Sequence, residues 1–218
     1  MSIVSQEGRK LLWITLFGIA FALVESSVVV YLRALYYPEG FSFPLKVIDP
    51  GHLTVELARE AATMVMLVAV GVLAGSNAWG KFAYYMVGFG VWDIFYYIWL
   101  KVMISWPVGL TDADILFLIP LPWIGPVIAP VLISLMMMIA GLVIIFRLER
   151  HMFFRPGLLS WGLSVLGTAL VLYSFMEDAR VDFQQPAPYP YALLVVSLVL
   201  FAASLFLSCR GPRTSTKS

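Results

Sequence analysis

Charged residues, cysteine and histidine are all scarce in this 218-residue chain. Only 12% of the residues are charged and 61% are hydrophobic, whereas soluble proteins have roughly 25% charged and 45–50% apolar residues. A single cysteine, Cys209, excludes an internal disulfide and a cysteine-based metal site. The net charge of +1 gives no basis for a nucleic-acid partner. The composition is that of an integral membrane protein whose surroundings are the lipid bilayer.

The sequence also lacks the short motifs that are typical of several common enzyme classes. It contains no Gly-x-Ser-x-Gly elbow, no Walker loop, no His-Glu-x-x-His pair and no Gly-x-Gly-x-x-Gly turn. Serine hydrolase, nucleotide-driven and dinucleotide chemistry therefore find no support. Only His52 and His151 are available for imidazole chemistry, so haem ligation by a histidine pair is not expected either.

Six apolar stretches are present, each near the length of about 20 residues that crosses a bilayer as a helix. We predict an all-α bundle in one integral membrane domain, residues 1–218, with spans at about 11–32, 50–75, 82–104, 125–147, 157–176 and 190–209. Arg9-Lys10 and the following apolar run resemble a cleavable signal peptide, but the run continues to Leu32 and favours a retained first span.

The region before the fourth span is irregular, because four prolines fall between residues 120 and 130. Proline removes a backbone donor and breaks helices. We therefore expect a short helix or a re-entrant segment there.

Orientation is predicted from the basic residues, which are enriched in the cytoplasmic loops of membrane proteins. One side would carry Arg9, Lys10, Lys81, Arg147, Arg150, Arg155, Arg210, Arg213 and Lys217, and the other Arg33, Lys46, Arg59, Lys101 and Arg180. This asymmetry predicts a multi-pass protein of the cell (inner) membrane with both termini in the cytoplasm.

Three ionisable residues fall at membrane depth: Glu25, Arg59 and Asp93. Such a residue costs roughly 2.5–3.5 kcal/mol on insertion scales and is by default a functional hypothesis. Counted from the outer ends of the helices, all three lie about 12–14 Å deep. We predict an outward-facing pocket between the first three spans, also lined by Glu56, Trp92, Tyr96, Tyr97 and Lys101. The alternative is a buried charge network that only fixes how the helices pack.

A metal site is a weaker possibility. His52 and Glu56 have helical ligand spacing, Glu60 follows one turn later, and Asp112 or Asp114 could complete the set. A solvated interfacial helix explains the same pattern more simply. No cofactor is predicted, and a divalent metal stays a minor alternative.

Three functions remain open. The first is binding or transport of a small or lipid-like ligand, linked to a proton or cation because two acids face one base. The second is a membrane-embedded enzyme acting on a lipid or isoprenoid, with Glu25 or Asp93 as general acid or base. The third is an accessory or assembly subunit, in which a homo-oligomer or a membrane-complex partner contacts the apolar exterior.

Overall fold

Six long helices and one short β-hairpin make up the computed structural model, which describes residues 6–177 and 188–210. In chain order the elements are α1 (Gln6–Tyr36), α2 (Pro50–Ala74), α3 (Ala78–Ile104), β1 (Ala113–Phe117), β2 (Trp123–Pro126), α4 (Ile128–Glu149), α5 (Leu158–Met176) and α6 (Tyr191–Cys209). All six helices in these two ranges are long and apolar enough to cross a membrane. The predicted helical class with about six spans is confirmed, and the protein is a multi-pass membrane protein.

The sequence explains where α2 begins. Asp49 caps the helix, because its Oδ1 accepts hydrogen bonds from the amides of Gly51 (2.9 Å) and His52 (3.3 Å). Pro50 occupies the first turn, where its missing N–H has no cost. The helix therefore starts well before its apolar run, and Arg59 in its polar first half forms an ion pair with Glu25 of α1.

Helix α3 is the centre of the fold and packs against α1, α2 and α4. Small residues allow the close approach: a Cβ added to Gly141 of α4 would lie 2.6 Å from the Ala83 carbonyl oxygen, and one added to Gly18 of α1 would lie 2.9 Å from Val91. Because lipid tails are as apolar as the helices, such backbone proximity is a main source of helix association in membranes.

Helices α5 and α6 form a separate pair. Ser204 donates to the Ser160 carbonyl and shares a hydrogen bond with Ser164, both at 2.8 Å. The pair joins the other helices mainly at its two ends. At one end Phe175 packs on β2 and α4, and at the other Arg147 of α4 donates to the Cys209 carbonyl at 3.1 Å. Between these ends, α5 and α6 stand away from α3 and α4.

The proline-rich segment, for which the sequence predicted a short helix or a re-entrant segment, forms an antiparallel β-hairpin. Ala113 pairs with Pro126, Asp114 with Gly125 and Ile115 with Ile124. Pro120 lies between the strands and Pro126 lies at the end of β2. At these positions the missing proline N–H removes few of the backbone hydrogen bonds between the strands. Of the basic residues used to predict orientation, Arg180, Arg213 and Lys217 lie outside the described residues.

Candidate functional site

A cavity of about 380 Å³ lies where α1 and α3 end and α2 begins, with the β-hairpin as one wall. We call it the polar cavity. Its ionisable lining residues, apart from tyrosines, are Glu25, Arg33, Lys46, Glu56, Arg59, Glu60, Asp93 and Asp114. Trp92, Tyr96 and Tyr97 also line it. The structure thus brings most of the residues predicted from the sequence to one place.

Arg59 is the centre of one charge cluster. Its guanidinium forms ion pairs with Glu25 of α1 and with Glu56 one turn earlier on α2, where the Nε to Oε2 distance is 2.9 Å. The second oxygen of Glu25 accepts a 2.8 Å hydrogen bond from Thr63. Glu25 and Glu56 are 4% and 8% exposed, so both carboxylates depend on Arg59 for charge compensation.

Asp93 lines the same cavity but does not join Arg59. Its Oδ2 accepts a 2.8 Å hydrogen bond from Ser134 of α4. Among the described residues, no lysine, arginine or histidine nitrogen lies within 4.0 Å of its carboxylate. The three residues predicted to lie together are therefore divided. Glu25 and Arg59 form an ion pair, whereas Asp93 has no cationic partner among the described residues.

A further ion pair in the polar cavity was not predicted from the sequence. Arg33, at the end of α1, pairs with Asp114 of β1 at 2.8 Å. The guanidinium carbon lies 3.7 Å from the centre of the Trp106 ring and 4.5 Å from that of Phe41, which adds cation–π attraction. Burial raises the pKa of Asp114 to about 6, and the nearby Arg33 guanidinium offsets only part of this effect.

Glu60 connects α2 to the hairpin. Both of its oxygens lie within hydrogen-bond distance of the Leu118 amide, at 3.1 and 3.0 Å. The carboxylate is 6% exposed. Glu60 therefore holds the hairpin against the cavity from the α2 side, as Asp114 does from the α1 side.

Two predicted residues lie elsewhere. Lys101 does not line the polar cavity: its Nζ donates to the Pro107 carbonyl at 2.7 Å, beyond the end of α3. His52 shares a 2.6 Å hydrogen bond with the Tyr36 hydroxyl, near the cavity mouth. Over residues 6–177 and 188–210, no group of three histidine, cysteine or acidic side chains is arranged to hold a metal ion. The idea of a metal at His52, Glu56 and Glu60 gains no geometric support there.

A larger cavity of about 870 Å³, which was not predicted from the sequence, lies between the α3–α4 and α5–α6 pairs. We call it the apolar groove. Trp79 and Trp161 line one end, and Trp123 and Phe175 line the other. Trp79 and Trp92 both line it and are 13 residues apart on α3, so the groove extends for about 20 Å.

The two cavities are adjacent and share part of their walls. Trp92 and Asp93 of α3 and Leu116 and Phe117 of β1 belong to the walls of both. Asp93 thus lies at the boundary between the polar cavity and the apolar groove. This junction is the most distinctive chemical feature of the described structure.

Comparison with protein-family models, curated proteins and solved structures finds no match to this chain.

Proposed function

We propose that this protein binds an amphipathic, lipid-like ligand, with the ligand's polar group in the polar cavity and its hydrocarbon chain in the apolar groove. The observation that carries the proposal is the shared wall formed by Trp92, Asp93, Leu116 and Phe117. A ligand lying across this wall would meet charge and hydrogen-bonding groups at one end and apolar side chains along the rest.

The sizes of the cavities support the proposal. Small-molecule sites typically measure about 300–1,000 Å³ and are mostly apolar with a few placed polar groups. The apolar groove fits the second description, because its polar residues are chiefly serines and Asp93. An unfilled groove would deprive its lining of van der Waals contacts, and a hydrocarbon chain from the membrane would restore them.

The two charge groups then have different roles. Glu25 and Glu56 share the single positive charge of Arg59, and the ion pair between Arg59 and Glu25 links α2 to α1. Asp93 is the group available to a ligand, because its Oδ1 has no hydrogen-bond partner among the described side chains. Transport and catalysis are not needed to explain this arrangement.

Orientation forms part of the proposal. If every helix spans, both termini lie on one side of the membrane, and we propose that this side is the cytoplasm of a cell with an inner membrane. The polar cavity lies at the opposite end, where α1 ends, so the ligand's polar group would face outward.

Native mass spectrometry of the detergent-purified protein tests ligand binding. Thr168 lines the groove, and the bulky ring of Thr168→Trp should obstruct it. Val165, three residues earlier on α5, is 64% exposed and outside the groove, so Val165→Trp is a matched control. We expect a bound lipid-like mass on the wild type and on Val165→Trp, and its loss in Thr168→Trp. Equal occupancy in all three proteins, or no bound mass in any, contradicts the proposal.

A further inference from the structure

We infer that the ligand carries a protonated amine, which the carboxylate of Asp93 receives at the junction of the two cavities. This inference rests on the proposed function and specifies the class of head group. A long-chain amino alcohol has the chemistry required.

The distribution of charge around the polar cavity supports a cationic ligand. Arg59 offsets one of the two negative charges of Glu25 and Glu56, and Arg33 offsets that of Asp114. Glu60 at least accepts from a backbone amide. Within the described ranges Asp93 has one hydrogen-bond donor, the Ser134 hydroxyl, and it also lies within electrostatic range of the Asp114 carboxylate. An added positive charge would stabilise both acids, whereas an anionic head group would be repelled.

The aromatic walls favour an organic cation over a metal ion. Trp92 and Phe117 line both cavities beside Asp93, and Tyr96 lines the polar one. Ammonium groups are attracted to the faces of such rings. The protein already holds one cation in this manner, since Arg33 lies between Asp114 and the Trp106 and Phe41 rings. By contrast, the described residues offer no three-ligand metal site.

An unpaired donor indicates the second polar group of the ligand. Trp92 is 7% exposed, and its indole Nε1 is buried without a hydrogen-bond partner among the described residues. A buried donor left unpaired carries a desolvation cost, and a ligand oxygen would relieve it once the ring turns Nε1 toward the ligand. An amino alcohol supplies both the cation for Asp93 and the oxygen for Trp92.

The test compares two probes that differ mainly in charge. Sphinganine carries an amine, hydroxyls and a long chain, whereas N-acetylsphinganine keeps the chain and hydroxyls but is uncharged. Binding of each to the protein in lipid nanodiscs is measured by competition against a fluorescent lipid. Because a charge-assisted hydrogen bond is roughly twice as strong as a neutral one, we expect sphinganine to bind about tenfold more tightly.

Variants assign the preference to its residue. In Asp93→Asn the two probes should bind within about twofold of each other, because the charge is gone. Ser134→Ala removes the hydroxyl donor but leaves the charge, so it should keep the preference for sphinganine. Glu149→Gln, on an exposed carboxylate at the far end of α4, should match the wild type.

The outcomes separate the inference from the proposed function. Equal binding of both probes to the wild type overturns the amine inference while the lipid-like ligand stands. A tenfold preference that persists in Asp93→Asn overturns the role of Asp93. If neither probe binds the wild type and no lipid copurifies, the proposed function itself fails. The wild-type comparison needs no variant to fold, so the inference can be refuted in any case.

Discussion

Replacing Arg59 by glutamine should destabilise the protein strongly, because it leaves two buried carboxylates without a counter-charge. Glu25 and Glu56 are 4% and 8% exposed, and Arg59 is their shared ion-pair partner. Removing one partner of a buried ion pair typically costs 3–5 kcal/mol. The Arg59 side chain is 22% exposed, so water screens part of the interaction and the lower end of that range applies. We expect a loss of about 3 kcal/mol in the free energy of unfolding.

A double-mutant cycle measures this coupling. The free energies of unfolding of the wild type, Arg59→Gln, Glu25→Gln and the double variant are compared in one detergent or nanodisc system. Because Glu25→Gln removes one of the stranded charges, the double variant should lose less than the sum of the single losses, with a coupling of about 1–3 kcal/mol. Arg150→Gln, an exposed charge at the other end of the bundle, is the control. A loss below about 0.5 kcal/mol in Arg59→Gln, or additive single effects, would refute the account of this cluster.

Three further predictions concern the packing, the hairpin and the pH response. Gly141→Ala should cost about 1–3 kcal/mol of unfolding free energy, because its Cβ would lie 2.6 Å from a backbone oxygen; Gly162→Ala, with nothing within 4 Å, should not destabilise, and equal losses would contradict the packing described. Glu60→Ala should speed amide hydrogen exchange in the hairpin, whereas Glu56→Ala should not, and unchanged exchange in Glu60→Ala would disprove the contact with Leu118. Because the pKa of Asp114 is raised from about 3.8 to about 6 in the fold, the native state holds its proton over that window. Its contribution to stability is therefore fully present below about pH 4 and falls by at most about 3 kcal/mol as pH rises to 6. Asp114→Asn should lack this decline in pH-dependent unfolding, and a decline identical to that of the wild type would exclude Asp114 as its source.

Local signals in the sequence predicted much of the fold. The Asp49-Pro50 pair sets the start of α2, because capping and the first-turn proline act within a few residues. Helical spacing then places Arg59 at the depth of Glu25, and the two side chains do meet. Helical spacing alone gave a wrong position for the Lys101 side chain. It lies one turn beyond Tyr97 on α3, but the chain leaves the helix at Ser105, and the ammonium instead binds the carbonyl of Pro107.

The remaining parts of the site depend on contacts distant in sequence. Arg33 and Asp114 are 81 residues apart in the sequence. Neither has a local sequence feature that distinguishes it from an ordinary loop or interfacial charge, because the two meet only in the folded structure. The apolar groove had no local signal either. An apolar side chain facing a cavity has the same sequence pattern as one facing lipid, so periodicity could not separate Leu172, which lines the groove, from Val165 on α5.

The measurement that tests the central claim most directly is an experimental structure of the protein in a lipid bilayer. The account predicts elongated density in the apolar groove between α3–α4 and α5–α6, continuous past Trp92 and Leu116 with density beside Asp93 in the polar cavity. A structure in which α5 and α6 close against α3 and α4, leaving no groove and an isolated Asp93, would contradict it.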